Sequence, residues 1–201
     1  MNPYNAVAEF EQVIAAWAGS KYAVAVESCT AALFLSCVYA KVGEVTIPAR
    51  TYPGVPCSII HAGGKVKFED KPWDGIYQLK PYEIWDGALR FKQGMYKGGF
   101  HCLSFHMKKL LPIGRGGMIL TDDREAYNWF KRARFDGRRE VPLEDDSFDM
   151  LGWNMYITPE QAIRGLQLFS TIDQKGLNDL IVANQLYPNL GEYDVYHTVR
   201  K

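Results

Sequence analysis

Short apolar runs of strand length alternate with longer segments of helical period along this 201-residue chain. No other feature constrains the fold as much, because helices that alternate with strands pack on the faces of a sheet. Ala6 to Trp17 sets Val7, Phe10, Ile14 and Trp17 on one helical face, which Gly19 closes. Lys21 to Val26 reads as a buried strand. Beyond Ser28-Cys29-Thr30, the run AALFLSCVYA is apolar on nearly every side, as in a helix buried against a sheet. Val45 to Ile47 is a short strand ended by Pro48. Pro53 opens a helix that runs to about Ala62 and stops at Gly63-Gly64. Val66 to Phe68 is a further strand, and Ile84-Trp85 is another that delivers Asp86 at its C-terminal end.

Phe100 to Phe105 and Met118 to Thr121 are strands on either side of a Gly-rich turn. Asp122-Asp123 caps a helix from Arg124 to Phe135. Thr158, with Pro159 and Glu160, starts a long helix through Leu168 that continues to Leu186. The pattern predicts an α/β fold with a mixed, mostly parallel sheet flanked by helices. It predicts one compact domain over residues 1–201, with 158–201 as its C-terminal helical segment and tail. No internal repeat or linker divides the chain.

Hydrophobic residues make up 47% of the chain, enough for one sizeable core. The 23 basic and 23 acidic residues balance, so nothing global favours nucleic acid or an anionic membrane. No apolar run approaches the roughly 20 residues that span a bilayer, and MNPYNAVAEFEQ lacks a basic-then-apolar signal pattern. Cys29, Cys37, Cys57 and Cys102 form no CxxC pair, which predicts reduced thiols in a cytoplasmic protein. His61, His101, His106 and His197 have no metal-ligand spacing, so no metal is expected. The 12 tyrosines and 5 tryptophans suit a subunit interface or a ligand cavity as well as a core.

The chemistry gathers around Ser104-Phe105-His106-Met107-Lys108-Lys109, which leads through Leu-Leu-Pro-Ile to Gly114-Arg115-Gly116-Gly117. A desolvated lysine beside such a turn can form a Schiff base, although strand-end lysines are commonly solvated surface groups. Ser28, Cys29 and Thr30 lie between a strand and a helix N-terminus, where free N–H groups and hydroxyls hold a phosphate or simply cap the helix. Asp86 either stabilises a protonated ring nitrogen or caps the next element. Tyr52 either stacks on an aromatic cofactor or fills surface, and Asn154 either serves a site or supports its own turn. A phosphate holder, a stacking aromatic, a carboxylate and a Schiff-base lysine are together what pyridoxal phosphate requires.

Taken in order, these segments resemble the DegT/DnrJ/EryC1/StrS family of pyridoxal-phosphate-dependent sugar aminotransferases, from about Glu9 to Leu186. EFEQVIAAWAGSKYAVAVESCTAAL resembles the family's opening, with Ser28-Cys29-Thr30 at its Ser-Gly-Thr. GEVTIPARTY places Tyr52 at the stacking position, and IWDGAL places Asp86 at the pyridine nitrogen. SFHMKK aligns with Ser-Phe-x-x-x-Lys, which makes Ser104 a phosphate ligand and Lys109, rather than Lys108, the Schiff-base lysine. GRGGMILTDD resembles Gly-Glu-Gly-Gly and its strand. LGWNMYITPEQAIRGLQL resembles Gly-Tyr-Asn-x-Arg and the following helix, so Asn154 is expected to reach the cofactor phosphate of a neighbouring subunit.

The resemblance implies the aspartate-aminotransferase-like large domain, pyridoxal 5'-phosphate as cofactor, and a homodimer with a composite active site. Lys109 and Asp86 carry the expected catalysis: transfer of an amino group from an amino acid donor to a keto or aldehyde acceptor, such as a sugar or nucleotide derivative. The chain departs from the family pattern in several places. Between Phe68 and Asp86 it carries only WDGIYQLKPYE where the family has an additional strand and helix, and it ends where the family's small C-terminal domain begins. Leu89, Arg115 and Tyr156 replace a Gln or His, a Glu and an Arg. The substrate side is therefore expected to be rebuilt. Two rivals follow. One is a decarboxylase acting on an amino acid joined to a nucleotide or nucleic acid, which Lys131, Arg132, Arg134, Arg138 and Arg139 would contact. The other is a non-catalytic homologue serving as a partner subunit.

Overall fold

A computed structural model describes residues 4–171 and 187–197. The chain alternates as the pattern predicts. Helix α1 (Asn5–Ala18) ends at Gly19, whose φ of 86° is the left-handed turn that glycine accepts without strain. Strand β1 (Tyr22–Val26) leads to α2 (Cys29–Tyr39), then β2 (Glu44–Pro48), α3 (Gly54–His61) and β3 (Lys65–Glu69). Short strands β4 (Tyr77–Gln78) and β5 (Ile84–Asp86) follow, then β6 (Phe100–Ser104), β7 (Gly117–Thr121), α4 (Arg124–Ala133) and α5 (Pro159–Thr171). Helix α4 is capped as expected, with Asp123 accepting from the Glu125 and Ala126 N–H groups, but it stops two residues before Phe135. Any continuation of α5 towards Leu186 falls outside the described residues.

The central sheet has the order β1-β7-β6-β5-β4, and β2 pairs with β3 beside it. Thr46 of β2 bridges Lys80, just past β4, through reciprocal backbone bonds of 2.8 and 3.1 Å. The two sheets thereby join edge to edge. The pairs β5–β6 and β2–β3 are parallel, and β1–β7, β6–β7 and β4–β5 are antiparallel. Followed across the pairings, β1, β2, β3, β5 and β6 share one direction, with β4 and β7 reversed. The sheet is thus mixed with most strands co-directional.

Strand β4 leaves no mark in the sequence pattern, because two residues are too few to show a period. It is what fills the shortened stretch between Phe68 and Asp86. In antiparallel register, Tyr77 lies opposite Asp86.

Each face of the sheet carries its own core. One gathers Leu33, Leu35, Val45, Ile59, Ile84 and Phe130 under α2, α3 and α4. The other gathers Phe10, Ile14, Leu103, Phe105 and Leu120 under α1 and α5. The uniform apolarity of α2 is explained by its seven buried residues between sheet and neighbouring helices. The C-terminal ends of β1, β2, β5 and β6 come to one edge of the sheet, so every loop that leaves them opens on the same crevice.

Candidate active site

That crevice is a cleft of about 1230 Å³ lined by residues from all of these loops. Asp86 forms its floor. It ends β5, is 5% exposed, and takes three donors: the Ala88 N–H (3.0 Å) and the Cys29 thiol (3.8 Å) on Oδ1, and the Tyr77 hydroxyl (2.8 Å) on Oδ2. Burial pushes the Asp86 carboxyl above its ordinary value, and the Ala88 and Tyr77 bonds, the Lys109 charge and the Cys29 thiol pull the other way. Burial and the adjacent Asp86 also push the Cys29 thiol well up, so it stays protonated.

The N-terminus of α2 forms one wall. Ser28 Oγ accepts the Ala31 N–H at 3.0 Å, the capping bond expected of a serine there. Its own O–H is still available to donate, so capping and anion binding are compatible. Strand β7 passes very close: a Cβ on Gly117 would lie 2.6 Å from the Cys29 backbone nitrogen. Only glycine allows β7 and the α2 N-terminus to meet. Thr30 faces the cleft beside Tyr52, which follows β2 and is 60% exposed at the mouth.

Ser104 ends β6 and pairs with Gly117, the β7 residue that meets the α2 N-terminus. The loop after it is stapled across its base by Phe105 N–H to Gly116 O (2.9 Å) and Met107 N–H to Gly114 O (3.0 Å). Lys108 and Lys109 both line the cleft, but they differ in reach. Lys108 is exposed and Lys109 half-buried, and the Lys109 charge lowers the pKa of both Asp86 and Cys29. The Lys109 charge therefore acts on the floor carboxylate within the same cleft.

The structure brings Ser28, Cys29, Thr30, Tyr52, Asp86, Ser104 and Lys109 to one cleft. Asn154 is not among them. It is exposed and donates to Asp136 Oδ2 at 3.0 Å, while its neighbours Trp153 and Met155 face the cleft. Leu89 and Arg115 also line the cleft, and Arg115 pairs with Glu27 at 2.8 Å on its rim. Tyr156 instead packs against Tyr4 and Phe135.

Tyr77, Thr51 and Tyr187 escape sequence reasoning. Tyr77 sits in a strand too short to recognise, Thr51 is masked by its neighbour Tyr52, and Tyr187 reaches the cleft only through the tertiary fold. The basic residues in and after α4 are engaged internally. Arg134 is buried and binds Glu11 and Glu140, Lys131 binds the same two, Arg132 binds Asp149, and Arg138 and Arg139 meet Asp146.

The donor set fits pyridoxal phosphate: hydroxyls and helix N–H groups for a phosphate, a buried carboxylate for a ring nitrogen, a lysine in the same cleft, and a tyrosine at the mouth. Three of the roughly four lone-pair positions of Asp86 are filled, which leaves one on Oδ2.

Comparison with known proteins agrees. The model of the DegT/DnrJ/EryC1/StrS aminotransferase family matches residues 1–84 and 92–197. Asp86 falls between the matched blocks, so its assignment rests on its place in the cleft. The spore coat polysaccharide biosynthesis protein SpsC of Bacillus subtilis (strain 168) is 43% identical over 222 residues, covering 83% of this chain and 57% of that protein. GDP-perosamine synthase of Caulobacter vibrioides is 24% identical, covering 84% of this chain and 57% of that one. The chain thus spans little more than half the length of these relatives. In fold it is similar to the sugar aminotransferase CalS13 of Micromonospora echinospora, with a TM-score of 0.71 at 18% identity over 85% of this chain and 61% of that one. Among the described residues, no helix is long and apolar enough to cross a membrane.

Proposed function

The chain belongs to the DegT/DnrJ/EryC1/StrS aminotransferase family, and we propose that it carries that family's cofactor site and moves an amino group from an amino acid to a keto or aldehyde acceptor, a sugar or nucleotide derivative. The observation that supports this reading is that half-buried Lys109 and buried Asp86 line one cleft with the hydroxyls at the α2 N-terminus. Pyridoxal phosphate, when bound, supplies an electrophilic carbon and an electron sink for cleavage at an amino acid's α-carbon. Asp86 would accept the ring N–H and favour the protonated ring nitrogen. Lys109 would hold the cofactor and, as a free amine, would move the proton at the substrate's α-carbon. Ser28, Thr30 and Ser104 with the α2 N–H groups hold the phosphate, and Tyr52 covers the ring.

The working unit in this reading is a homodimer in which Asn154 completes the partner's site. Exposed Leu143, Phe148 and Leu151 lie in the loop just before Asn154 and suit such an interface. Residues 1–201 act as one cofactor-binding domain, with 158–201 as its C-terminal part. The four unpaired cysteines support a reducing, cytoplasmic setting.

The test is to load the protein with pyridoxal phosphate and add L-glutamate without an acceptor. Release of 2-oxoglutarate up to the concentration of protein sites supports amino transfer. Carbon dioxide release instead moves the assignment to decarboxylation, and no product from any amino acid contradicts catalysis.

A further inference from the structure

We propose that Tyr77, itself held by Thr51, is the positioning residue that keeps the Asp86 carboxylate charged and aimed at the cofactor's ring nitrogen. The proposal rests on the pyridoxal-phosphate reading above. Tyr77 belongs to β4, the two-residue strand that fills this chain's shortened connection, and its antiparallel register puts it opposite Asp86. Its hydroxyl lies 2.8 Å from Asp86 Oδ2 and 2.6 Å from Thr51 Oγ1. Tyr77 and Thr51 are both buried, at 7% and 1% exposure.

The proton directions follow from chemistry. An ionised Asp86 only accepts, so the single Tyr77 proton points to it, and Thr51 must donate to the Tyr77 oxygen. Each donor polarises the next, which strengthens the bond to the carboxylate. Burial disfavours the Asp86 charge, and this relay opposes that penalty. The other groups acting on Asp86 are Cys29 on α2, Cys102 on β6, Lys109 after β6, and Tyr187. Of these Lys109 alone carries a positive charge, so a neutral donor at Tyr77 matters whenever Lys109 is engaged elsewhere.

Pyridoxal-phosphate affinity is measured against pH for wild type, Tyr77→Phe, Thr51→Val, Asp86→Asn and the double variant Tyr77→Phe/Asp86→Asn. With Asp86 intact, Tyr77→Phe is expected to weaken binding about tenfold, with Thr51→Val a smaller loss in the same direction. The acid limb of the profile moves up by about one pH unit, because a carboxylate that loses a donor protonates sooner as pH falls. In the Asp86→Asn background the Tyr77→Phe loss shrinks below about twofold. Equal losses in both backgrounds, or an unmoved acid limb, would reduce Tyr77 to packing and overturn the proposal. A second arm needs no cofactor: ¹³C NMR of the apoprotein follows the Asp86 carboxyl, which should titrate higher in Tyr77→Phe, or in Thr51→Val should the first variant not fold. A raised titration in a protein that never binds pyridoxal phosphate sinks the functional reading but keeps the coupling. Cofactor binding with an unmoved titration sinks the coupling alone.

Discussion

The floor and the rim of the cleft are built by different rules. The floor is buried and locked: Asp86 takes three donors, and β7 presses so close to the α2 N-terminus that a side chain at 117 has no room. The rim is open, with Tyr52 largely exposed and Arg115 tied to Glu27 by a solvent-facing ion pair of the kind worth little energy. Arg115, which departs from the family pattern on the rim, disturbs none of the floor's bonds, and Leu89, a second departure, is buried near the floor. A change at the open rim can therefore leave the buried floor intact.

The contrast breaks most sharply at the lysines. Lys109→Ala should cut amino transfer by roughly 10²–10⁴-fold, while Lys108→Ala, one residue away on the exposed side, should leave it within about threefold. Single-turnover measurements with glutamate separate the two, and equal losses would erase the distinction drawn between them. Gly117→Ala tests the floor's packing. Its Cβ forces β7 and α2 apart and should cost about 1–3 kcal/mol in denaturant unfolding, with a matching loss of cofactor affinity. A neutral result would show that the close approach is slack.

Rim changes should be smaller. Arg115→Ala should change stability by less than about 1 kcal/mol, because the pair with Glu27 is solvent-exposed. Its effect should fall on KM for one substrate rather than on cofactor binding, and a large drop in cofactor affinity would place Arg115 in the floor instead.

The sequence disclosed the floor better than it disclosed the connections. Strands β1, β6 and β7 are legible because they are continuous apolar runs, and Asp123 announces α4 by its capping chemistry. Ser28, Asp86, Ser104 and Lys109 can be picked out because each lies at the end of a recognisable element or in the turn beyond it. Tyr77 cannot: its strand has two residues, and its role depends on a cross-strand partner nine positions away. Arg134 misleads for a related reason. Five basic residues within nine positions read as a surface patch, yet Arg134 is 1% exposed and clasped by Glu11 from the far end of the chain. Local charge counts do not show which acids the fold will bring up. Asn154 lies outside the cleft of its own protomer, and its expected role belongs to the dimer proposed above.

Lys109, in the cleft whose floor is Asp86, is the residue proposed to hold pyridoxal phosphate. Incubation with the cofactor, reduction with borohydride and peptide mapping by mass spectrometry tests it most directly. A stoichiometric adduct on Lys109 is expected, falling away in Asp86→Asn as affinity is lost. An adduct centred on Lys108, scattered over surface lysines, or indifferent to Asp86 would contradict it.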